Sequence, residues 1–219
     1  MLNKEKYKHM AAQLRKPNGL GGIEIAGWMA RGNANIIHET IRALTIERDE
    51  NILEIGMANG VFVKDIVGSA ENVQYTGFDF SEIMISEAEE MNKELVYGGR
   101  ARFVFAGITS MPFPGKSFDK ILSVNTIYFW DDEPSALREV LRVLKPGGKF
   151  VIGFRPKHQT EKYPFTKVGF RQYSAEDAKT LLYDNGLVVD KLFENIENDF
   201  EFDGKKQAME KIVIVACKI

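Results

Sequence analysis

Five short apolar runs, at 52–55, 73–78, 101–105, 118–124 and 149–154, are separated by segments long enough to hold a crossover. That alternation constrains the fold more than any other feature, because strands joined in this way pair in parallel and carry their helices on both faces of one sheet. The intervening spacing agrees. Ile36, Ile37, Ile41 and Leu44 repeat with helical period before the first run, and Val61, Phe62, Ile66 and Val67 do so after it. Ser81 is placed to cap a helix through Ile83, Met84, Ala88 and Met91 that stops at Gly98-Gly99. Leu137, Val140, Leu141 and Leu144 mark another, closed by a turn at Lys145-Pro146-Gly147-Gly148. A helix at 174–185 precedes two β-rich stretches, 187–197 and 207–218, with no helix between them, so these should pair antiparallel at one edge. The fold class expected is α/β, with ligands held beyond the carboxyl ends of the strands.

The 219 residues fit one domain, divided here into an N-terminal lid or cap at 1–34, rich in Lys, Gly and Asn, and a single domain at 35–219. A hydrophobic content of 44% with 27% charged residues excludes disorder and fibrous repeats. The longest aliphatic run, 212–217, is far too short to cross a bilayer, and the first ten residues hold no signal-like apolar stretch, so a cytoplasmic protein is expected. Cys217 has no partner, which removes disulfide frameworks and thiolate metal clusters. The net charge of -2 gives no general pull toward nucleic acid, although residues 1–32 are basic and 188–203 acidic.

The segment ILEIGMANG at 52–60 runs from a strand through a Gly-rich turn into a helix. Such a turn lets backbone N–H groups approach an anionic or polar ligand. Val61 stands where a dinucleotide fingerprint needs its third small residue, which disfavours nicotinamide or flavin. Glu54 is a carboxylate inside an apolar strand and calls for a polar or cationic partner, such as the amine of a ligand. Asp79 closes the second strand, where a carboxylate accepts both hydroxyls of a ribose, and Phe80 beside it offers a face to a purine ring.

With TGFDFS at 76–81, FVFAGITSMPFPGKSFDKILSVNTIYFW at 103–130 and LREVLRVLKPGGKFVIG at 137–153, the chain resembles the class I S-adenosylmethionine-dependent methyltransferases, in their small-molecule, methyltransferase type 11-like branch. The resemblance implies a Rossmann-like three-layer sandwich whose mostly parallel seven-stranded sheet has an antiparallel edge strand. It implies S-adenosyl-L-methionine as cofactor, held by Glu54, Gly56, Met57, Ala58, Asp79, Phe80, Ile108, Thr109 and Asn125. Two departures stand out: Gly107 where an acidic residue is frequent, and Ala58 in place of the commoner middle Gly.

A methyl sulfonium needs alignment and exclusion of water more than acid–base help. The string Asn125-Thr126-Ile127-Tyr128 lacks both prolines of the loop used for amino groups on nucleic acid, so a small-molecule acceptor is expected, its O, N or C atom open. No metal is expected, because Arg155 ends the fifth strand where metal-dependent relatives place acids. Tyr128, Trp130 and Arg155 are the acceptor-pocket candidates, and Tyr128 and His158 the candidates for a catalytic base. The loop at 156–173 is aromatic and basic, which points to an aromatic or anionic acceptor. The competing readings are a SAM-binding regulatory or assembly protein without catalysis, and an adenosine- or nicotinamide-binding module.

Overall fold

The computed structural model describes residues 2–202 and 205–218. Seven strands form one sheet: β1 (Asn51–Ile55), β2 (Gln74–Asp79), β3 (Ala101–Phe105), β4 (Phe118–Val124), β5 (Leu144–Phe154), β6 (Leu187–Phe202) and β7 (Lys205–Lys218). Their order is β3-β2-β1-β4-β5-β7-β6. The first five are mutually parallel, and β7 enters antiparallel between β5 and β6. The chain reverses direction across the sheet between β1 and β4, which opens a crevice above their carboxyl ends.

Both faces are covered, because successive side chains on a strand point to opposite sides. Leu53, Ile121, Phe150 and Ile214 join the core beneath α6 (Glu133–Val143) and α8 (Ala175–Asp184). Ile52, Leu122, Val151 and Val213 join the other core, beneath α2 (Gly19–Leu44), α3 (Val63–Val67) and α4 (Glu82–Met91). The three-layer architecture expected from the sequence is therefore present. Ser81 caps α4 by accepting from the Met84 N–H, and Asp132 caps α6 in the same way.

Four local readings need correction. The helix expected from Asn35 begins at Gly19, so the boundary drawn at 34/35 falls inside α2. Within that helix a Cβ on Gly22 would lie 2.8 Å from the Pro17 carbonyl carbon, at the corner between α1 (Leu2–Arg15) and α2. The helix after Gly60 is only five residues long, and the one after Ser81 breaks at Asn92 before α5 (Lys93–Tyr97). The Asn92 amide donates to the carbonyls of Gly60 and Ala88 at 3.0 Å each, tying the end of α4 to the Gly-rich turn. β5 begins at Leu144 and absorbs the Lys145–Gly148 turn as an irregularity, with Gly147 at φ +73°.

Helix α2 reaches the sheet at Gly153 of β5, where a Cβ would overlap the Thr40 hydroxyl and stand 3.3 Å from Ile36. Gly153→Ala should push α2 away from β5 and destabilise the fold by about 1–3 kcal/mol, measured by urea unfolding. An unchanged midpoint would show that α2 yields freely at this contact.

Candidate functional site

A cavity of about 510 Å³ lies above the carboxyl ends of β1, β2 and β4. Its volume is in the range that encloses a cofactor-sized ligand. The Gly-rich turn forms its floor. Gly56 takes φ +70° and Gly60 φ +66°, and a Cβ on Gly56 would stand 2.5 Å from Thr126 Cγ2. The glycine at 56 thus serves chain packing as well as ligand approach. Ala58 sits at φ +50°, in the left-handed region that costs a side-chain-bearing residue about 1–2 kcal/mol. Its N–H is held there by Asp79 Oδ2 at 3.2 Å, and the Ser81 N–H bonds the other carboxylate oxygen at 2.9 Å.

Glu54 and Asp79 are both buried, at 8% and 7% exposure. Desolvation pushes Glu54 up to about 7; the hydrogen bond from Tyr75 opposes that rise and the neighbouring Asp79 charge adds to it. Desolvation likewise lifts Asp79 to about 6, against the pull of the backbone donors and of Lys16. The Lys16 ammonium lies 5.5 Å from the centroid of the Phe80 ring.

All nine residues expected to contact the cofactor line this one cavity: Glu54, Gly56, Met57, Ala58, Asp79, Phe80, Ile108, Thr109 and Asn125. Trp130 lines it too, its indole N–H donating to Thr126 Oγ1 at 3.2 Å. A Cβ on Gly107 would meet nothing within 4 Å, so the small residue there is not imposed by packing.

Tyr128, Arg155 and His158 are not brought to the cavity. Tyr128 is buried, its hydroxyl between Asn125 Oδ1 at 3.0 Å and the backbone of Arg155, and burial drives its ionisation well above the ordinary range. Such a phenol is a poor general base. Arg155 turns toward the β6–β7 hairpin and pairs with Glu197. Arg155 therefore puts no charge into the cavity that would repel a metal; among the described residues no group of three or more His, Cys, Asp or Glu is gathered to hold one. His158 is exposed on α7 (Lys157–Thr160) and pairs with Glu210 at 2.9 Å.

The aromatic loop is likewise corrected. Phe165 and Phe170 pack on each other and on Tyr128, Phe129 and Tyr163, with ring centroids 4.6–6.0 Å apart, and no residue of 156–173 lines the cavity. Arg171 pairs with Glu133, so the expected basic field is partly spent on internal partners. The far wall belongs instead to α2, through Ala26, Met29, Ala30, Asn33 and Ile37, with Leu14, Arg15 and Pro17 at its corner. Seven of these eight residues fall in the 1–34 segment expected as the lid, and what the glycines of 19–32 concealed is its helical form. Ser81 Oγ donates to the Pro17 carbonyl at 2.5 Å, and Arg15 pairs with Asp131 across the opening.

A model of the "Methyltransferase domain" family matches residues 53–152. The chain is 32% identical over 174 residues to the "Uncharacterized methyltransferase YdaC" of Bacillus subtilis, covering 79% of this chain and 92% of that protein. It is 28% identical over 184 residues to the "O-methyltransferase rstn1" of Aspergillus nomiae, covering 77% and 81%. Among solved structures, a SAM-dependent methyltransferase from Aquifex aeolicus superposes with a TM-score of 0.67 at 20% identity, covering 83% of this chain and 89% of that one.

A carboxyl group held above its unfolded value binds protons more readily when folded, so its protonation stabilises the fold at low pH and that gain is lost as pH rises. Without ligand, stability should fall between about pH 4.5 and pH 7 on account of Glu54. Glu54→Gln should remove about 2 kcal/mol of that fall, read from thermal unfolding across pH. Parallel curves for the two proteins would refute the assignment.

Proposed function

Because this chain belongs to the S-adenosylmethionine-dependent methyltransferases, an enzyme family, we propose that it methylates a small, largely apolar molecule bound between the cofactor and α2. The observation that carries the reading is the gathering of nine expected contact residues in one cavity whose remaining wall is mostly apolar.

The residues fit the cofactor. Glu54 offers a buried carboxylate to an ammonium, and Asp79 keeps lone-pair capacity for vicinal hydroxyls beside its bonds from the Ala58 and Ser81 N–H groups. Phe80, Ile108 and Thr109 lie where a flat heterocycle would be covered. When bound, S-adenosylmethionine supplies an electrophilic methyl group on a sulfonium. The protein's part is to align an acceptor atom and keep water out. Trp130, Phe129 and Met29 present apolar surface to the acceptor, and Asn125 presents an amide.

An apolar or aromatic acceptor is favoured over an anionic one. Arg15 is the cation in the lining, and it is paired with Asp131. The relative from Aspergillus nomiae is named an O-methyltransferase, and an oxygen acceptor is one arm of the test. We propose further that the α1–α2 corner acts as the cap over the bound cofactor, fastened by the Ser81 bond to Pro17.

Calorimetric titration should show S-adenosylmethionine and its demethylated product binding to the wild-type protein. Asp79→Ala should weaken both by about 1.5–3 kcal/mol, the range of hydrogen bonds to a charged group. Unchanged affinity in a folded variant would defeat the ribose assignment. Incubation of cell extract with isotopically labelled cofactor, followed by mass analysis, then identifies the acceptor and its methylated atom. Removal of residues 1–16 should leave the circular dichroism of the sheet in place while methyl transfer falls at least about tenfold; full turnover would show the corner to be packing alone.

A further inference from the structure

We propose that Tyr75, which lies beneath the cavity floor, is a positioning residue that fixes the Glu54 carboxylate for the amino group of the cofactor's methionine portion. This rests on the methyltransferase reading above.

The geometry is local to β1 and β2. In their parallel register Ile52 pairs with Tyr75 and Glu54 with Gly77, so residues 54, 75 and 77 share one face of the sheet. The Tyr75 hydroxyl donates to Glu54 Oε2 at 2.6 Å, and both groups are buried. The hydroxyl has room because residue 77 is glycine: a Cβ there would stand 2.6 Å from Tyr75 Oη and 3.0 Å from Met57 Cγ. The ring packs against Phe103 with centroids 5.9 Å apart, a task a phenylalanine would perform equally. The hydroxyl therefore earns its place through Glu54 rather than through packing.

A phenol donor favours the ionised carboxylate and holds one of its oxygens, which leaves the other for a ligand in the cavity that Glu54 lines. The charged and titratable groups that face Glu54 are few. From β2 they are Tyr75 and Asp79. The α2 residues turned to the cavity, Ala26, Met29, Ala30, Asn33 and Ile37, carry no charge, and neither do Asn125 and Thr126 after β4. At the α1 corner Arg15 is paired with Asp131 and Lys16 lies over Phe80, acting on Asp79, while Asp132 at the far rim caps α6. With Glu54 near 7, its ionisation falls in the neutral range, and Tyr75 shifts that ionisation toward lower pH.

Tyr75→Phe tests this by calorimetric titration at a series of pH values, with S-adenosylmethionine and with 5′-methylthioadenosine, which lacks the amino-acid portion. The expected result is a Kd for S-adenosylmethionine raised about tenfold near pH 7, with the affinity curve displaced to higher pH. The Kd for 5′-methylthioadenosine should stay within about twofold. In a Glu54→Gln background the same substitution should add nothing, since the pair is already broken. Equal weakening of both ligands, an undisplaced curve, or an undiminished effect beside Glu54→Gln would each overturn the proposal and leave Tyr75 as core. If Tyr75→Phe does not fold, Glu54→Gln alone decides: the proposal requires the pH dependence of S-adenosylmethionine binding to flatten, and an unaltered dependence refutes it. Failure of the wild-type protein to bind either S-adenosylmethionine or its demethylated product would instead overturn the methyltransferase reading.

Discussion

Two carboxyl groups buried at the ends of neighbouring parallel strands set the terms for the rest of this molecule. Removing a carboxylate from water is costly unless donors replace the lost hydration. Asp79 takes the N–H groups of Ala58 and Ser81, and Glu54 takes the Tyr75 hydroxyl. Each donor imposes a further condition. Ala58 must adopt φ +50°, so the turn before it needs Gly56 at φ +70° and the turn after it Gly60 at φ +66°. Tyr75 must have space at residue 77, and Gly77 provides it. Asn92 then holds the Gly60 carbonyl from the end of α4. Gly56, Gly60 and Gly77 thus lie in the segments that bring donors to those two acids.

The sheet was legible in the sequence because its strands are buried on both faces and read as short unbroken apolar runs. The five parallel strands and the closing hairpin stand at or within a few residues of their expected places. The residues expected at the cofactor came to line one cavity for a related reason: they sit in consecutive positions at strand ends, where 54–60, 79–80 and 108–109 each form a local pattern.

The acceptor side was not legible, because its residues are gathered by packing across the chain. Tyr128, Arg155 and His158 follow strands four and five in sequence, yet a long hairpin supplies partners that draw two of them outward: Glu197 takes Arg155 and Glu210 takes His158. Nothing in the local pattern of 187–218 announces those pairings. The aromatics of 163–173 bury one another, as aromatic residues under a long loop generally do. The wall at that position comes from α2, which packs against Pro17 at Gly22 and lies mostly within the 1–34 segment expected as the lid.

Helix α2 couples the two halves of the site. Its C-terminal half, through Ile36, Thr40, Ile41 and Leu44, is part of the sheet's core, and Gly153 lets it approach β5 closely. Its N-terminal half faces the cavity and carries the corner that Ser81 fastens from the start of α4. Ser81 lies two residues beyond Asp79 and donates its own N–H to that carboxylate. A ligand that draws on Asp79 therefore acts on the same short segment that bonds the α1–α2 corner, with no moving hinge required between them. A cationic ligand would also offset the desolvation that the ligand-free fold carries at Glu54, so filling the cavity and ionising its acids belong to one linked equilibrium.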